Sequence, residues 1–494
     1  MINMPLLTRK PPDLKVKILA IGAGGLQRAL THEWVHDLIK ADKYDGGIFV
    51  GQPRHTTTAR ALNQQGGLYH VVTFNKGGVA GIKLIESVVG ASSLSTAEGK
   101  EKFLSWVKGN LDLILVGVTE AGVRKGQIGM DMLDETLFRY FGQHGSGSTI
   151  SVMDTDNLRG NGKILRDIQL EYAKERGIDP YLSWLENKVD FLDEMGDRLV
   201  PNPAAVPEAI KKEARRKIGK EDRLATYTEE MPDRWSLVVS DPRRRLRVPF
   251  SELAYGGVVV TAGSIDSYHD WKLRLLNSVH VPFVSHLAQL SGYKRINDAA
   301  RDPLIRPYLR SVVEGNARIV EKDIPIEGEN AVKYALSFIE RISSLEDDAA
   351  RININHTLKL RERISGTIVS PNYAVASEDL KDKLAFAIAT VFRYLTAVNH
   401  KKNAWVGQTD TGITYQFTDP NPTLPTLLVG AMEKSKEWVE KKVRRIFYDY
   451  SLWTPPGSKQ KVNLSGNPDC MRRVANFYHR MVKGEKALDI IKRL

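Results

Sequence analysis

A lysine, an asparagine and a histidine stand at Lys272, Asn277 and His280 in the run Tyr268-His-Asp-Trp-Lys272-Leu-Arg-Leu-Leu-Asn277-Ser-Val-His280. Wound as an α-helix at about 100° per residue, Asn277 and His280 lie roughly 140° and 80° round from Lys272. The three then share one broad face, and Leu273, Leu275 and Leu276 are left to pack elsewhere. An amine, a carboxamide and an imidazole brought together can do acid/base work on a carbonyl. A lysine near other cations has a lowered pKa and can exchange a proton at neutral pH, while the amide and imidazole orient and polarise the oxygen. The same spacing also suits an amphipathic helix with a solvated lysine and a core histidine.

A second chemical signal lies near the N-terminus, in Lys17-Ile-Leu-Ala-Ile-Gly22-Ala23-Gly24-Gly25-Leu26-Gln27-Arg28-Ala29. It reads as a strand, a glycine turn and a helix start. Gly22 permits the tight turn and Gly24 the close approach of backbone to a pyrophosphate, although Gln27 stands where the common dinucleotide fingerprint has a third glycine. At the end of the next strand, Gly47-Ile-Phe-Val-Gly51-Gln52-Pro53-Arg54, there is no acid to bind a ribose 2′-hydroxyl, and Arg54 suits a 2′-phosphate. The choice between NAD and NADP stays open.

Other chemistries lack their residues. His32-Glu33-Trp34-Val35-His36 has the HExxH form of zinc proteases, but Ile39 and Asp42 occupy the extended motif's glycine and third-histidine positions, and the run falls within the proposed coenzyme-binding unit. No metal is expected. Neither a GxSxG elbow nor a GxxxxGK[ST] loop occurs. The basic runs at Lys211-Lys212, Arg215–Lys217, Arg243–Arg245 and Lys441–Arg445 are mostly interspersed with acids, as on solvated helix faces.

These residues need elements to hold them. From Leu14 to about Ala262, β-rich apolar runs at Val16–Ile21, Gly47–Gly51, Leu113–Val118, Thr149–Met153 and Gly257–Thr261 alternate with amphipathic stretches, the pattern of a parallel sheet covered on both faces. Beyond Tyr268, helical spacing runs through Trp271–Tyr293, Asn330–Ser344, Asp379–Asn399, Thr426–Tyr448 and Met471–Leu494. The expected fold is therefore α/β: a doubly wound parallel sheet over 1–268 and a mostly α-helical domain over 269–494. A length of 494 residues with 42% hydrophobic content supports two real cores, and Cys470 alone builds no disulfide framework, which points to a reduced, cytoplasmic setting. No run approaches 18 apolar residues and the N-terminus lacks signal-peptide form, so no membrane partner is expected. The charge balance, 71 − 59 = +12, asks for an anionic partner or a dispersed surface.

Taken in order, Gly22-x-Gly24-x-Leu26-Gln27-Arg28-Ala29, Thr119-Glu120-Ala121-Gly122, Asp156-Asn157-Leu158 with Asn161-Gly162, and Lys272-x4-Asn277-x2-His280 resemble the polyol-specific long-chain dehydrogenases, the mannitol dehydrogenase family. That family includes mannitol 2-dehydrogenase, arabinitol dehydrogenases, and fructuronate and tagaturonate reductases. The resemblance implies that 1–268 is a Rossmann-type NAD(P)-binding domain and 269–494 a substrate-binding and catalytic domain, with a site in the cleft between them and hydride transfer without a metal. Lys272 would be the general acid/base, Asn157 and Asn277 would hydrogen-bond the reacting oxygen, and His280 would bind substrate beside the reacting carbon. Asp197, in Asp197-Arg198-x-x-Pro201, would bind a hydroxyl or form a structural salt bridge. Arg351 and Lys359 would reach the far end of the sugar, about 80° apart on a single helix. Coenzyme contacts would come from Gly22, Gly24, Gly25, Leu26, Gln27, Arg54, Thr119 and Glu120.

Gly-Leu-Tyr after Gln64-Gln65-Gly66, the Thr-Glu-Ala-Gly form and Tyr450-Ser-Leu-Trp453 look more like the hexuronate-type reductases, whereas Gln27, the missing acid of the second strand and His356 depart from the mannitol enzymes. The expected activity is NAD- or NADP-dependent interconversion of a keto-sugar acid or ketose with its reduced partner, tagaturonate/fructuronate reductase ahead of mannitol 2-dehydrogenase or another polyol dehydrogenase. The expected partner is that small molecule, without nucleic acid, and the protein a monomer or small homo-oligomer. The rival from another class is a nucleotide-sensing or nucleic-acid-binding protein on a dehydrogenase scaffold.

Overall fold

The computed structural model describes residues 4–8, 14–54, 56–75, 77–118, 122–155, 158–230, 235–253, 257–344, 346–401, 404–455, 458 and 460–494. The chain divides into two compact units, Met1–Asp266 and Ser267–Leu494; the sequence reading put the division after Tyr268.

In the N-terminal unit the apolar runs form the strands β1 (Lys15–Ile21), β2 (Gly46–Gln52), β6 (Leu113–Val116) and β7 (Ile150–Asp154), all parallel to their neighbours. Alternate residues point to opposite faces. Ile18, Ala20, Ile48, Val50, Leu113 and Leu115 enter one core, while Leu19, Ile21, Phe49, Ile114, Val116 and Val152 enter another, which is why apolar residues fall on both faces of these strands.

Four more strands complete the sheet: β5 (Val88–Ser93), β8 (Val189–Gly196), β10 (Leu237–Ser240) and β11 (Val258–Thr261). The order is β11-β10-β8-β7-β6-β1-β2-β5, with β10 antiparallel to β8. Because β2 and β6 flank β1, the carboxyl end of β1 stands where the strand order reverses, the place at which open α/β sheets leave a crevice for a ligand. A separate three-stranded sheet, β4-β3-β9 (Gly78–Ile85, Tyr69–Asn75, Thr226–Glu229), was not anticipated.

Beyond the glycine turn, the short helix Gly25–Arg28 is followed by a second helix, Thr31–Lys40, that is held by buried ion pairs. Arg198, just past β8, donates from Nη1 to the carbonyl of Ala29 and pairs with Glu33 of the helix Thr31–Lys40. Both side chains are buried, at 0% and 4% exposure. Lys83 of β4 reaches the same carboxylate at 2.8 Å and Asp37 at 2.9 Å. The HExxH histidines serve this packing: His32 Nδ1 lies 3.3 Å from the Tyr69 hydroxyl, and His36 Nδ1 accepts the Glu86 N–H at 3.1 Å.

The C-terminal unit is mostly helical, as its periodicity suggests. Its central helix, Glu378–Tyr394, is capped by the Ser377 hydroxyl and buries an unbroken run from Lys383 to Tyr394 against the helices Ile305–Asp323 and Pro468–Val482. Two expectations fail locally. Asp379–Asn399 ends as helix at Tyr394, and a small antiparallel sheet begins at Asn399, with strands Asn399–Lys401, Ala404–Gln408 and Thr414–Phe417. Thr426–Tyr448 splits at Gly430 and Glu433, both at positive φ (67° and 62°), into the helices Thr423–Leu428 and Lys436–Phe447.

Replacing Arg198 with Ala leaves the Glu33 carboxylate buried with only Lys83 beside it. The expected loss is about 3 kcal/mol or more of unfolding free energy, measured by urea titration, and the paired replacement Glu33→Gln, Arg198→Met should recover part of it.

Candidate active site

In the N-terminal unit the glycine turn has a backbone that only glycine fits. Gly22 has φ +101°, and a Cβ there would stand 2.4 Å from the carbonyl oxygen of Gly117. Its N–H donates to Gly51 O at 2.7 Å, and the Ala23 N–H donates to the Gln52 side chain at 3.2 Å, so the turn is stitched to the end of β2. Gly24 is extended, and nothing within 4 Å faces the position its Cβ would take, which leaves its backbone open to close approach. Gly25 meets Val200, and Leu26 packs half-buried on the core.

Gln27, in place of the third glycine, is 2% exposed, and its amide lies against Gly117. In the orientation that satisfies both neighbours it donates to Gly22 O (2.5 Å) and accepts from Gly117 N (3.1 Å). It therefore ties the turn together from inside. Arg54 is exposed just beyond β2. Thr119, Glu120 and Asn157 lie outside the described residues. The motif partner Asn161 is structural: its amide bonds both Glu194 O (3.1 Å) and Glu194 N (3.0 Å), docking the helix Asn161–Arg176 onto β8. Asp197 is buried with its N–H on Ser236 O, and the neighbouring Arg198 makes the structural ion pair, with Glu33.

In the C-terminal unit the segment read as one α-helix is something else. The α-helix Asp266–Trp271 passes into π-helical turns at Lys272–Asn277 and Val279–Val284, with a break at Val281, before α-helix resumes at Ser285–Leu290. In a helix closed by bonds five residues apart, the fifth residue stands roughly one turn above the first. Lys272 and Asn277 are thus brought closer to one line than the 140° of an α-helix allows. Both are half-buried, while Arg274, Leu275 and Leu276 between them are buried.

His280 lies edge-on to Phe338, with ring centroids 5.0 Å apart. Burial, reinforced by Arg363, Lys359, Arg351 and Arg341, lowers its pKa to about 3, so the imidazole is neutral at physiological pH. Lys359 is lowered to about 7, by burial first and then by Arg363 and Arg351; its ammonium donates to Ile352 O at 2.6 Å. Arg363 is lowered to about 10 by burial, and its Nη1 donates to the carbonyl of Asn277 at 2.9 Å.

Arg351 and Lys359 do not share a helix. Ala349–Ile352 and His356–Arg363 are separate, divided by the buried Asn353 and by Asn355 at φ 53°. Arg351 is exposed and bidentate on Asp347 (2.6 and 2.7 Å). The residue that shares a helix face with Lys359 is Arg363, four positions on, a spacing visible in the sequence but passed over.

The resulting arrangement is a neutral imidazole in the field of several cations, Lys359 and Arg363 among them with depressed pKa values, in the same unit as Lys272 and Asn277. Like charges gathered in a partly dry site favour an incoming anion. The basic run at Arg243–Arg247 is otherwise engaged: Arg243 and Arg245 donate to Asn187 O, and Arg247 donates to Thr149 O. Among the described residues no group of three or more His, Cys, Asp or Glu side chains could hold a metal ion, and no helix is long and apolar enough to cross a membrane.

Residues 16–241 match the mannitol dehydrogenase Rossmann domain and residues 264–441 the mannitol dehydrogenase C-terminal domain. Among characterised proteins, the altronate oxidoreductase of Halalkalibacterium halodurans is 22% identical over 82% of this chain and 80% of its own length. A mannitol 2-dehydrogenase of Phaeosphaeria nodorum is 25% identical over 82% and 73%. The fold is shared with Pseudomonas fluorescens mannitol 2-dehydrogenase, solved as a ternary complex with NAD and D-mannitol, at TM-score 0.69 and 17% identity over 100% of this chain and 97% of that one. A substrate-free D-sorbitol dehydrogenase gives TM-score 0.73 at 20% identity over 98% of both chains. The two domain matches together span most of the sequence: the chain belongs to the mannitol dehydrogenase family and is an oxidoreductase of that family.

Proposed function

We propose that the chain reduces the ketone of a hexuronate-type keto-sugar acid, tagaturonate or fructuronate, with NADH or NADPH and without a metal. The observation that carries this reading is the set of cations around His280. A neutral polyol does not need Lys359, Arg363 and Arg351 gathered beside one imidazole, whereas a carboxylate gains from each of them and restores the lysine's proton. The altronate oxidoreductase relative supports the same substrate class. The second reading, mannitol 2-dehydrogenase, is supported by relatives of that name at comparable identity.

The residues of the N-terminal unit fit a nicotinamide dinucleotide. The Gly22 turn and the unobstructed Gly24 would receive the pyrophosphate, and Arg54, with no acid at the end of β2, would tolerate a 2′-phosphate. The coenzyme supplies the hydride. Lys272 donates a proton to the oxygen that becomes the alcohol, and Asn277, with Asn157 assigned alongside it, hydrogen-bonds that oxygen as negative charge develops. His280, neutral, orients the neighbouring hydroxyl. Lys359 and Arg363 hold the carboxylate end, with Arg351 at the rim and Asp197 on a hydroxyl. The protein is proposed to work in the cytoplasm as a monomer or small homo-oligomer.

Lys272→Ala should lower kcat about a hundredfold or more while NADH or NADPH still binds, as read by coenzyme fluorescence; near-normal turnover removes Lys272 from the chemistry. Reduction of tagaturonate, fructuronate, fructose and xylulose with both coenzymes, before and after EDTA, tests substrate and metal together. The sugar acids should be preferred and EDTA without effect; loss of activity restored by zinc overturns the metal-free reading.

A lysine whose folded pKa is lowered to about 7 is a cation below that pH and neutral above it. KM for the sugar acid should therefore rise as pH climbs from about 6 to 8, a dependence that Lys359→Met abolishes. A flat KM in the wild type contradicts the role given to Lys359.

A further inference from the structure

We propose that Asn316 is a positioning residue: it holds the turn that carries Lys272 and Asn277 in π winding, and proton transfer by Lys272 depends on it. This rests on the role assigned to Lys272 above.

The N–H of Ser278 donates to Leu273 O, five residues back. In an α-helix it would donate to Arg274 O. That carbonyl instead accepts Asn316 Nδ2 at 2.7 Å and the Ser278 hydroxyl at 2.6 Å. Asn316 belongs to the helix Ile305–Asp323 and is 1% exposed. Its amide is fixed in orientation, because Oδ1 accepts the Thr367 hydroxyl at 2.9 Å, and Thr367 and Ser278 are fully buried.

The other end of Arg274 is anchored as well. Its Nη2 donates to Asp323 at 2.9 Å and lies 3.3 Å from the Thr367 hydroxyl, and Asp323 is itself held by Ser370 and by Asn372. Reversion to α winding would hand Arg274 O back to the backbone N–H of Ser278 and crowd two buried side-chain donors. A buried amide without its partner is costly. The clamp therefore selects the wider turn. Without it Asn277 swings toward the α position, roughly 140° from Lys272, and the two no longer meet one oxygen.

The test compares Asn316→Leu, of similar volume but without hydrogen-bonding atoms, with Tyr478→Phe, which removes a buried hydroxyl bond to Thr396 (2.7 Å) elsewhere in the unit. Lys272→Ala is measured in parallel, and Thr367→Val serves as a second, milder lesion that frees the Asn316 amide. Hydrogen exchange of the amides of residues 272–280, NADH and NADPH binding, Tm, and kcat, KM and the kcat pH profile are read, with the sugar that the wild type reduces best among tagaturonate, fructuronate, fructose and xylulose.

Asn316→Leu should speed exchange in 272–280 and lower kcat about tenfold or more, with KM and coenzyme binding nearly unchanged and the basic limb of the pH profile displaced. Thr367→Val should do the same to a smaller degree, and Tyr478→Phe should lower Tm alone. Unchanged exchange and kcat in Asn316→Leu, or a kcat loss in Tyr478→Phe matching it at equal Tm, overturns the proposal. If Asn316→Leu does not fold, unchanged exchange and kcat in Thr367→Val overturn it. If Lys272→Ala keeps its turnover, the role of Lys272 falls, and the exchange data still decide whether Asn316 holds the turn.

Discussion

The carbonyl of Arg274 accepts hydrogen bonds from the Asn316 amide and the Ser278 hydroxyl, while the Ser278 N–H reaches back five residues to Leu273. This local departure from α geometry decides which way Lys272 and Asn277 face. Buried polar groups choose it: in the wider turn the Arg274 carbonyl, the Asn316 amide and the Ser278 hydroxyl each have a partner.

The second constraint is charge. Lys359 and Arg363 stand four residues apart on one short helix, with Arg351 on the preceding one and Arg341 on the helix Ala331–Ser344, and all four bear on His280. The fold tolerates this concentration because Arg351 has Asp347, Arg363 has the Asn277 carbonyl and Lys359 the Ile352 carbonyl, yet the pKa values of Lys359 and Arg363 remain depressed. A bound anion would relieve that strain on the charges. The net +12 of the chain thus has a local meaning at this site, whereas Arg243, Arg245 and Arg247 are held by backbone carbonyls within their own unit.

Much of the fold was legible because its pattern is local. β1, β2, β6 and β7 each carry an apolar run, and the Gly22 turn follows directly from a strand. The small sheet β4-β3-β9 was not legible, since β9 lies about 150 residues from β3 and its register depends on that distant pairing. The site was legible as a residue set but not as a shape. Lys272, Asn277 and His280 could be named, but the π turn depends on Asn316, 42 residues away from Arg274, and the break after Ile352 depends on Asn355 at positive φ. Gln27 looked like a defect in a glycine motif; in the fold its amide replaces what close glycine packing would provide. HExxH matched a metal motif by sequence, and the buried bonds of His32, Glu33 and His36 show what those residue types do here.

The central claim is that the cations around His280 read a carboxylate on a substrate whose ketone is reduced at Lys272. Its most direct measurement is the ratio of kcat/KM for a keto-sugar acid to that for the neutral ketose of the same length, in wild type and in Arg363→Met. The account expects the ratio to fall about tenfold or more, with coenzyme binding unaltered. A ratio unchanged by the substitution, or a wild type that prefers the neutral ketose, would contradict it.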